Sequence, residues 1–151
     1  MKILVTYRSK TGFTKRYAEW ISEELKCDLK EVSKVGKNEI LEYDLVIHGG
    51  WIMGGMINGF NKIKKFNPKR LIVFGVGYTP KCEVDLANMI TFNNLGDIPL
   101  FYFEGGMNPK KMGFIGRSMV KAVTKKKLEF IDNTKKENIF ELIKMVNGLN
   151  F

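Results

Sequence analysis

Arg8-Ser9-Lys10-Thr11-Gly12-Phe13-Thr14-Lys15 follows directly on the apolar run Ile3-Leu4-Val5-Thr6-Tyr7. That run has the length of a buried strand, and beyond it Tyr17, Ala18, Ile21 and Leu25 recur at helical spacing. A helix beginning near Thr14 presents backbone N–H groups without intrahelical partners at the positive end of its dipole, a natural place for an anion. Gly12 lets the backbone turn closely around such a group, and the hydroxyls of Ser9, Thr11 and Thr14 add donors suited to phosphate oxygens. The plainer alternative is an N-cap, which a single hydroxyl supplies without the other two or the glycine.

The same alternation of periods continues along the chain. Strand-like runs occupy residues 2–7, 44–48, 71–76 and 99–103, with a weaker one at 28–32. Helical spacing joins Met56, Phe60, Ile63 and Phe66, then Leu86, Met89 and Ile90, then Ile115, Met119, Ala122 and Val123. A last helix carries Ile139, Leu142, Ile143 and Val146, opened by the capping-box pattern Thr134-x-x-Glu137 and closed near Gly148. This order predicts one α/β domain over residues 1–151, an open parallel sheet with helices on both faces. Ligands of such sheets bind beyond the carboxyl ends of strands, which selects the loops at 8–14, 49–55 and 75–80.

Elimination narrows the ligand. A dinucleotide fingerprint is absent, because Gly75-Val76-Gly77 runs on to Pro80, and so is a Walker loop. A phospho-receiver site needs acidic residues at strand ends, where this chain has Thr6-Tyr7 and Ile47-His48. A mononucleotide with one terminal phosphate remains. Trp51, Ile52 and Met53 between Gly50 and Gly54 read as a glycine-hinged loop, and Tyr78 between Gly77 and Thr79 as another. A flat aromatic ring fits between two such loops. The alternative for Trp51 is an anchor packed on the following helix.

Lys and Arg number 25 against 16 Asp and Glu, a formal charge of +9 that favours anionic partners or serves solubility. The lysines are dispersed without interleaved aromatics, so no nucleic-acid partner is expected. Arg117, Lys121 and Lys125, with Lys110 and Lys111 before them, form a basic stripe: a solvated face, or a contact for an anionic protein or a membrane periphery. Cys27 and Cys82 make no disulfide framework and no residue cluster suggests a metal, which fits a reducing cytoplasm. The first residues lack the apolar core of a signal peptide, and no stretch approaches the roughly 20 apolar residues of a transmembrane segment. His48, the only histidine, ends a strand as a proton shuttle or a hydrogen-bonded terminus. Cys82 is a reactive thiol or a helix start.

Ser9-x-Thr11-Gly12-x-Thr14, the strand Tyr43-Asp44-Leu45-Val46-Ile47 entering Gly50-Trp51-Ile52-Met53-Gly54, and the glycine loop around Gly77 together resemble the flavodoxin family over essentially the whole chain. The resemblance implies a five-stranded parallel sheet of order 2-1-3-4-5. It implies FMN, with its phosphate on Ser9, Lys10, Thr11, Gly12, Phe13 and Thr14. The isoalloxazine would then lie between Gly50-Trp51-Ile52-Met53-Gly54 and Gly77-Tyr78-Thr79. The segments Phe101-Tyr102-Phe103-Glu104-Gly105-Gly106 and 113–127 are similar to flavodoxin-domain proteins related to menaquinone-dependent protoporphyrinogen dehydrogenase. Between Tyr78 and Pro99 the chain is shorter than that enzyme, and it is basic where simple flavodoxin carriers are acidic. The implied function is FMN-based electron transfer with a redox partner protein or a quinone. An FMN oxidoreductase acting on a quinone, NAD(P)H or a protoporphyrinogen-type substrate is the alternative, and a flavin-free binding module is a third class.

Overall fold

A computed structural model of the chain describes residues 1–124 and 128–149. In chain order the elements are β1 (Ile3–Arg8), α1 (Phe13–Leu25), β2 (Asp28–Glu31), α2 (Lys37–Ile40), β3 (Leu45–Met53), β4 (Met56–Ile57) and α3 (Phe60–Phe66). They continue with β5 (Leu71–Gly77), α4 (Leu86–Phe92), β6 (Leu100–Glu104), β7 (Gly106–Met107), α5 (Phe114–Thr124), β8 (Ile131–Asp132) and α6 (Phe140–Asn147). Among the described residues no helix is long and apolar enough to cross a membrane.

Continuous apolar strands become intelligible once both sheet faces are covered, because successive side chains point to opposite faces. Ile3 and Val5 of β1 join Leu45 and Ile47 of β3, Ile72 and Phe74 of β5, and Phe103 of β6 in one cluster, roofed by Tyr17 and Ile21 of α1 and Leu142 and Val146 of α6. On the opposite face, Leu4 and Val46 pack with Ile40 and Ile63, while Val73 and Tyr102 pack with Phe60 and Met89. The strands run in the order β2-β1-β3-β5-β6, all parallel, with Val5 opposite both Leu29 and Ile47. Without the β4 hairpin this is the expected 2-1-3-4-5 arrangement, and the order reverses between β1 and β3.

Three expectations need correction. Residues 49–53 are not a hinged loop: they continue β3, which returns through the two-residue turn Gly54-Gly55 into β4, pairing Ile52 with Ile57 and Met53 with Met56. Both turn glycines have positive φ, 56° and 83°, as the tight hairpin turn matching strand twist requires. Met56 therefore sits in β4 instead of opening α3. Thr134 does not cap the last helix. Its hydroxyl donates to Asp132 and accepts from Arg16, and the backbone turns through a 3-10 segment, Lys136–Ile139, into α6.

The glycines of β3 have a packing cause. A Cβ on Gly49 would enter the Phe74 ring, and one on Gly50 would strike the backbone oxygen of Asn58. Asn58 lies this close because its backbone and side-chain amides both donate to the Trp51 carbonyl, each at 3.1 Å. His48 lies fully buried beneath the same crossing. Its Nε2 is 2.8 Å from the Asn58 carbonyl, which only accepts, so Nε2 carries the proton and Nδ1 accepts from the Thr6 hydroxyl at 2.9 Å. Burial holds the imidazole neutral and moves its pKa down to about 4, partly offset by the Asn58 hydrogen bond. His48 is thus the hydrogen-bonded strand residue of the two readings.

Three outcomes follow from this geometry. Gly50→Ala should lose about 3 kcal/mol or more in denaturant unfolding, because the obstructing atoms are backbone. Gly36→Ala, where a Cβ meets nothing within 4 Å, should stay within about 1 kcal/mol of the parent. For His48, the unfolded chain binds a proton as pH falls through its ordinary value of 6.5, while the folded chain resists until about 4. Stability should therefore fall across that window, by up to about 3 kcal/mol. Unfolding curves from pH 7 to 4.5 should show this slope in the parent and lose most of it in His48→Asn.

Candidate functional site

Beyond the carboxyl ends of β1, β3, β5 and β6 lies a cavity of about 350 Å³. Lys10 and Thr11 line it from the first loop, Phe13 and Thr14 from the start of α1, Trp51, Ile52, Met53 and Gly54 from the hairpin, Gly77 from the end of β5, which extends through the expected loop residues 75–77, and Tyr78 from just beyond it. Segments separated by tens of residues in the chain thus converge on one space. Gly12 faces an adjoining pocket of about 250 Å³, shared with Lys15, Arg16, Asn108 and Lys111. Ser9, Gly50 and Thr79 line neither of these pockets, and each supports the walls.

Ser9 folds the first loop: its hydroxyl accepts from the Gly12 N–H at 3.1 Å. Gly12 then takes φ 99°, a left-handed conformation that disfavours side chains, and stands at the N-cap of α1. No side chain caps the helix, and its first turn carries no acidic residue. None of the three hydroxyls is used as an N-cap, and Thr11 and Thr14 both line the cavity. Thr14 is buried beside it, one residue into α1.

Trp51 is held near the end of β3 by the Asn58 bonds and by the hairpin, which Asn93 clamps from the C-cap of α4. The Asn93 carboxamide accepts from Ile57 N–H at 3.0 Å and donates to the Gly55 carbonyl at 2.8 Å. Lys10 Nζ stands 5.7 Å from the Trp51 ring centroid, joining the first loop to the second by a cation–π contact. Tyr78 depends on Tyr102, whose hydroxyl donates to the Thr79 carbonyl at 2.6 Å. Burial pushes the Tyr102 phenol up, so it stays protonated as that donor. Cys82 is exposed in the short turn Lys81–Glu83, away from the cavity.

A fourth wall escaped the sequence reading of the site. Gly105, Gly106, Met107 and Asn108 follow β6, Met112 lies just before α5, and Gly116, Met119 and Val120 come down from α5. The glycine pair after the last strand and the i, i+4, i+7, i+8 spacing of Met112, Gly116, Met119 and Val120 were the available signals. The expected apolar face of this helix is split in consequence. Met119 reaches the cavity, whereas Ile115 and Ala122 face outward beside Arg117 and Lys121. Lys125 of the basic stripe lies outside the described residues.

The start of α1 is braced from the far end of the chain. Arg16 pairs with Asp132 at 2.5 Å, and β8 closes on β7 through Gly106 opposite Asp132. The Tyr17 hydroxyl donates to the Glu104 carbonyl at 2.5 Å and accepts from Lys135 N–H and the Asn138 amide at 3.2 and 3.0 Å. Burial raises the Tyr17 pKa, held back by the Asn138 and Lys135 donors.

Residues 4–134 match the family described as flavodoxin domain. Among curated proteins none matches the sequence. Oxidised flavodoxin 2 of Bacillus cereus superposes with a TM-score of 0.52 at 23% identity, covering 69% of this chain and 84% of its own. Oxidised flavodoxin 1 of the same organism gives 0.50 at 15%, covering 84% and 100%. The two-electron reduced flavodoxin of Megasphaera elsdenii gives 0.50 at 15%, covering 66% and 82%. These structures share the fold, and the match across most of the sequence places the chain in the flavodoxin domain family.

Proposed function

We propose that the chain binds FMN in this cavity and serves as an electron-transfer protein. The observation that carries the reading is the uncapped start of α1, turned by left-handed Gly12, where Thr11, Phe13 and Thr14 line a cavity whose far walls are Trp51 and Tyr78. The amides of that first turn and the hydroxyls of Thr11 and Thr14 suit a phosphate, and Lys10 and Lys15 add positive charge nearby. Trp51 and Tyr78 suit the two sides of a flat ring, each stacked contact contributing about 0.5–1.5 kcal/mol beyond buried area. When bound, FMN supplies a ring that takes up and releases electrons. The protein's own part is to fix the phosphate, hold the ring in an apolar slot and keep bulk water from its faces. The membership in the flavodoxin domain family supports the cofactor, and the absence of a dinucleotide fingerprint favours FMN over FAD.

One feature favours the second reading, an FMN oxidoreductase acting on a quinone or related apolar substrate. Met53, Met107, Met112 and Met119 line the cavity. Flexible thioether side chains adapt to apolar ligands of varied shape. Turnover of NADH or NADPH with a soluble quinone separates an enzyme from a carrier.

The cofactor is tested by loading the purified chain with FMN and FAD offered together, denaturing it and identifying the released compound by mass. FMN should be recovered; recovery of FAD would overturn the reading. Thr11→Val should weaken FMN about tenfold or more while leaving riboflavin nearly unchanged, since a charge-assisted hydrogen bond contributes roughly 1.5–3 kcal/mol. Equal weakening of both flavins would remove Thr11 from the phosphate.

A further inference from the structure

Phe114, Ile115, Arg117, Lys121 and Ala122 of α5 line neither pocket. Phe114 and Ile115 are 81% and 72% exposed on the first turn of the helix, and Met119 is 45% exposed one turn on. Large apolar side chains grouped this way mark an interaction surface. The neighbouring arc of the same helix carries Arg117 and Lys121, both exposed, and Lys110 and Lys111 precede it. Between Glu104 and Glu129 the sequence contains no acidic residue, and it adds Lys125, Lys126 and Lys127 to those cations.

We propose that this face of α5 docks on the surface of a membrane containing anionic lipid. An apolar arc beside a cationic arc on one helix is the pattern that lies in a bilayer interface, with Phe and Ile among the acyl chains and Lys and Arg at the headgroups. Neither signal alone gives firm attachment; the two together do. A second copy of the chain is a poorer occupant, because joining the same face of two copies brings these cations, and two charges of +9, together. Met119 belongs both to this face and to the cavity wall, so docking brings the mouth of the cavity to the lipid. That last consequence rests on the functional reading above; the docking itself does not.

The test is co-sedimentation of the full chain with vesicles of phosphatidylcholine, with and without phosphatidylglycerol. Binding should require phosphatidylglycerol, weaken with salt, and fall about tenfold or more in both Phe114→Ser/Ile115→Ser and Arg117→Gln/Lys121→Gln. Retained FMN binding in solution by the first double variant would show that its loss of lipid binding is not a loss of fold. Independently, Phe114→Trp in the otherwise intact chain should shift its emission to shorter wavelength only with phosphatidylglycerol present. No binding to those vesicles would overturn the proposal. Loss in the charge variant but not in Phe114→Ser/Ile115→Ser would also overturn it, assigning the face to an acidic partner. A dimer dissolved by Phe114→Ser/Ile115→Ser would assign it to a second copy. Normal lipid binding by a chain that takes up no FMN would uphold the docking while removing the cofactor.

Discussion

The carboxyl edge of the sheet is built from places where a side chain is forbidden. Gly50 pairs in register with Gly75, and Gly75 with Tyr102. At each glycine the missing Cβ is replaced by a neighbour's atoms: the Phe74 ring at Gly49, the Asn58 backbone at Gly50, Ile52 at Gly75 and the Tyr102 hydroxyl at Gly77. A Cβ on Gly75 would lie 2.7 Å from Ile52, and one on Gly77 2.8 Å from the Tyr102 oxygen. These close approaches let the hairpin fold back over the strand ends and let Tyr102 hold the Thr79 carbonyl. Trp51 and Tyr78 face one cavity because the glycines beside them allow it.

The first loop obeys a different constraint, that of a helix start with nothing of its own to satisfy it. Ser9 and Gly12 shape the turn, while Tyr17, Arg16 and the β7-β8 pair fix α1 against the end of β6 and the returning chain. The helix start is thereby held in place although no side chain caps it, and preformed uncapped amides suit an anion better than amides that must order on binding. Buried His48 stabilises the crossing of β3 and the Asn58 turn from below and takes no part in the cavity.

Strand positions were legible in the sequence because parallel strands covered on both faces are continuous apolar runs, as in Ile3-Leu4-Val5 and Leu71-Ile72-Val73-Phe74. The first loop was legible because three hydroxyls and a glycine concentrate in six residues. The hairpin was misread: glycines at 49, 50, 54 and 55 look alike in sequence, yet the first two are demanded by packing and the last two by a turn. Asn93 and Tyr102 left no local signal, since their partners lie 36 and 23 residues away. On α5 the apolar period was correctly seen but its destination was not, because periodicity alone does not distinguish a face turned to a core from one turned to a cavity or to solvent.

A crystal structure of the chain with FMN tests the central claim most directly. The phosphate should accept from the backbone amides at the start of α1 and from the Thr11 or Thr14 hydroxyl, with the ring between Trp51 and Tyr78. A phosphate held instead by the Lys15, Arg16 and Lys111 side chains, or a ring lying outside the Trp51 and Tyr78 walls, would contradict it.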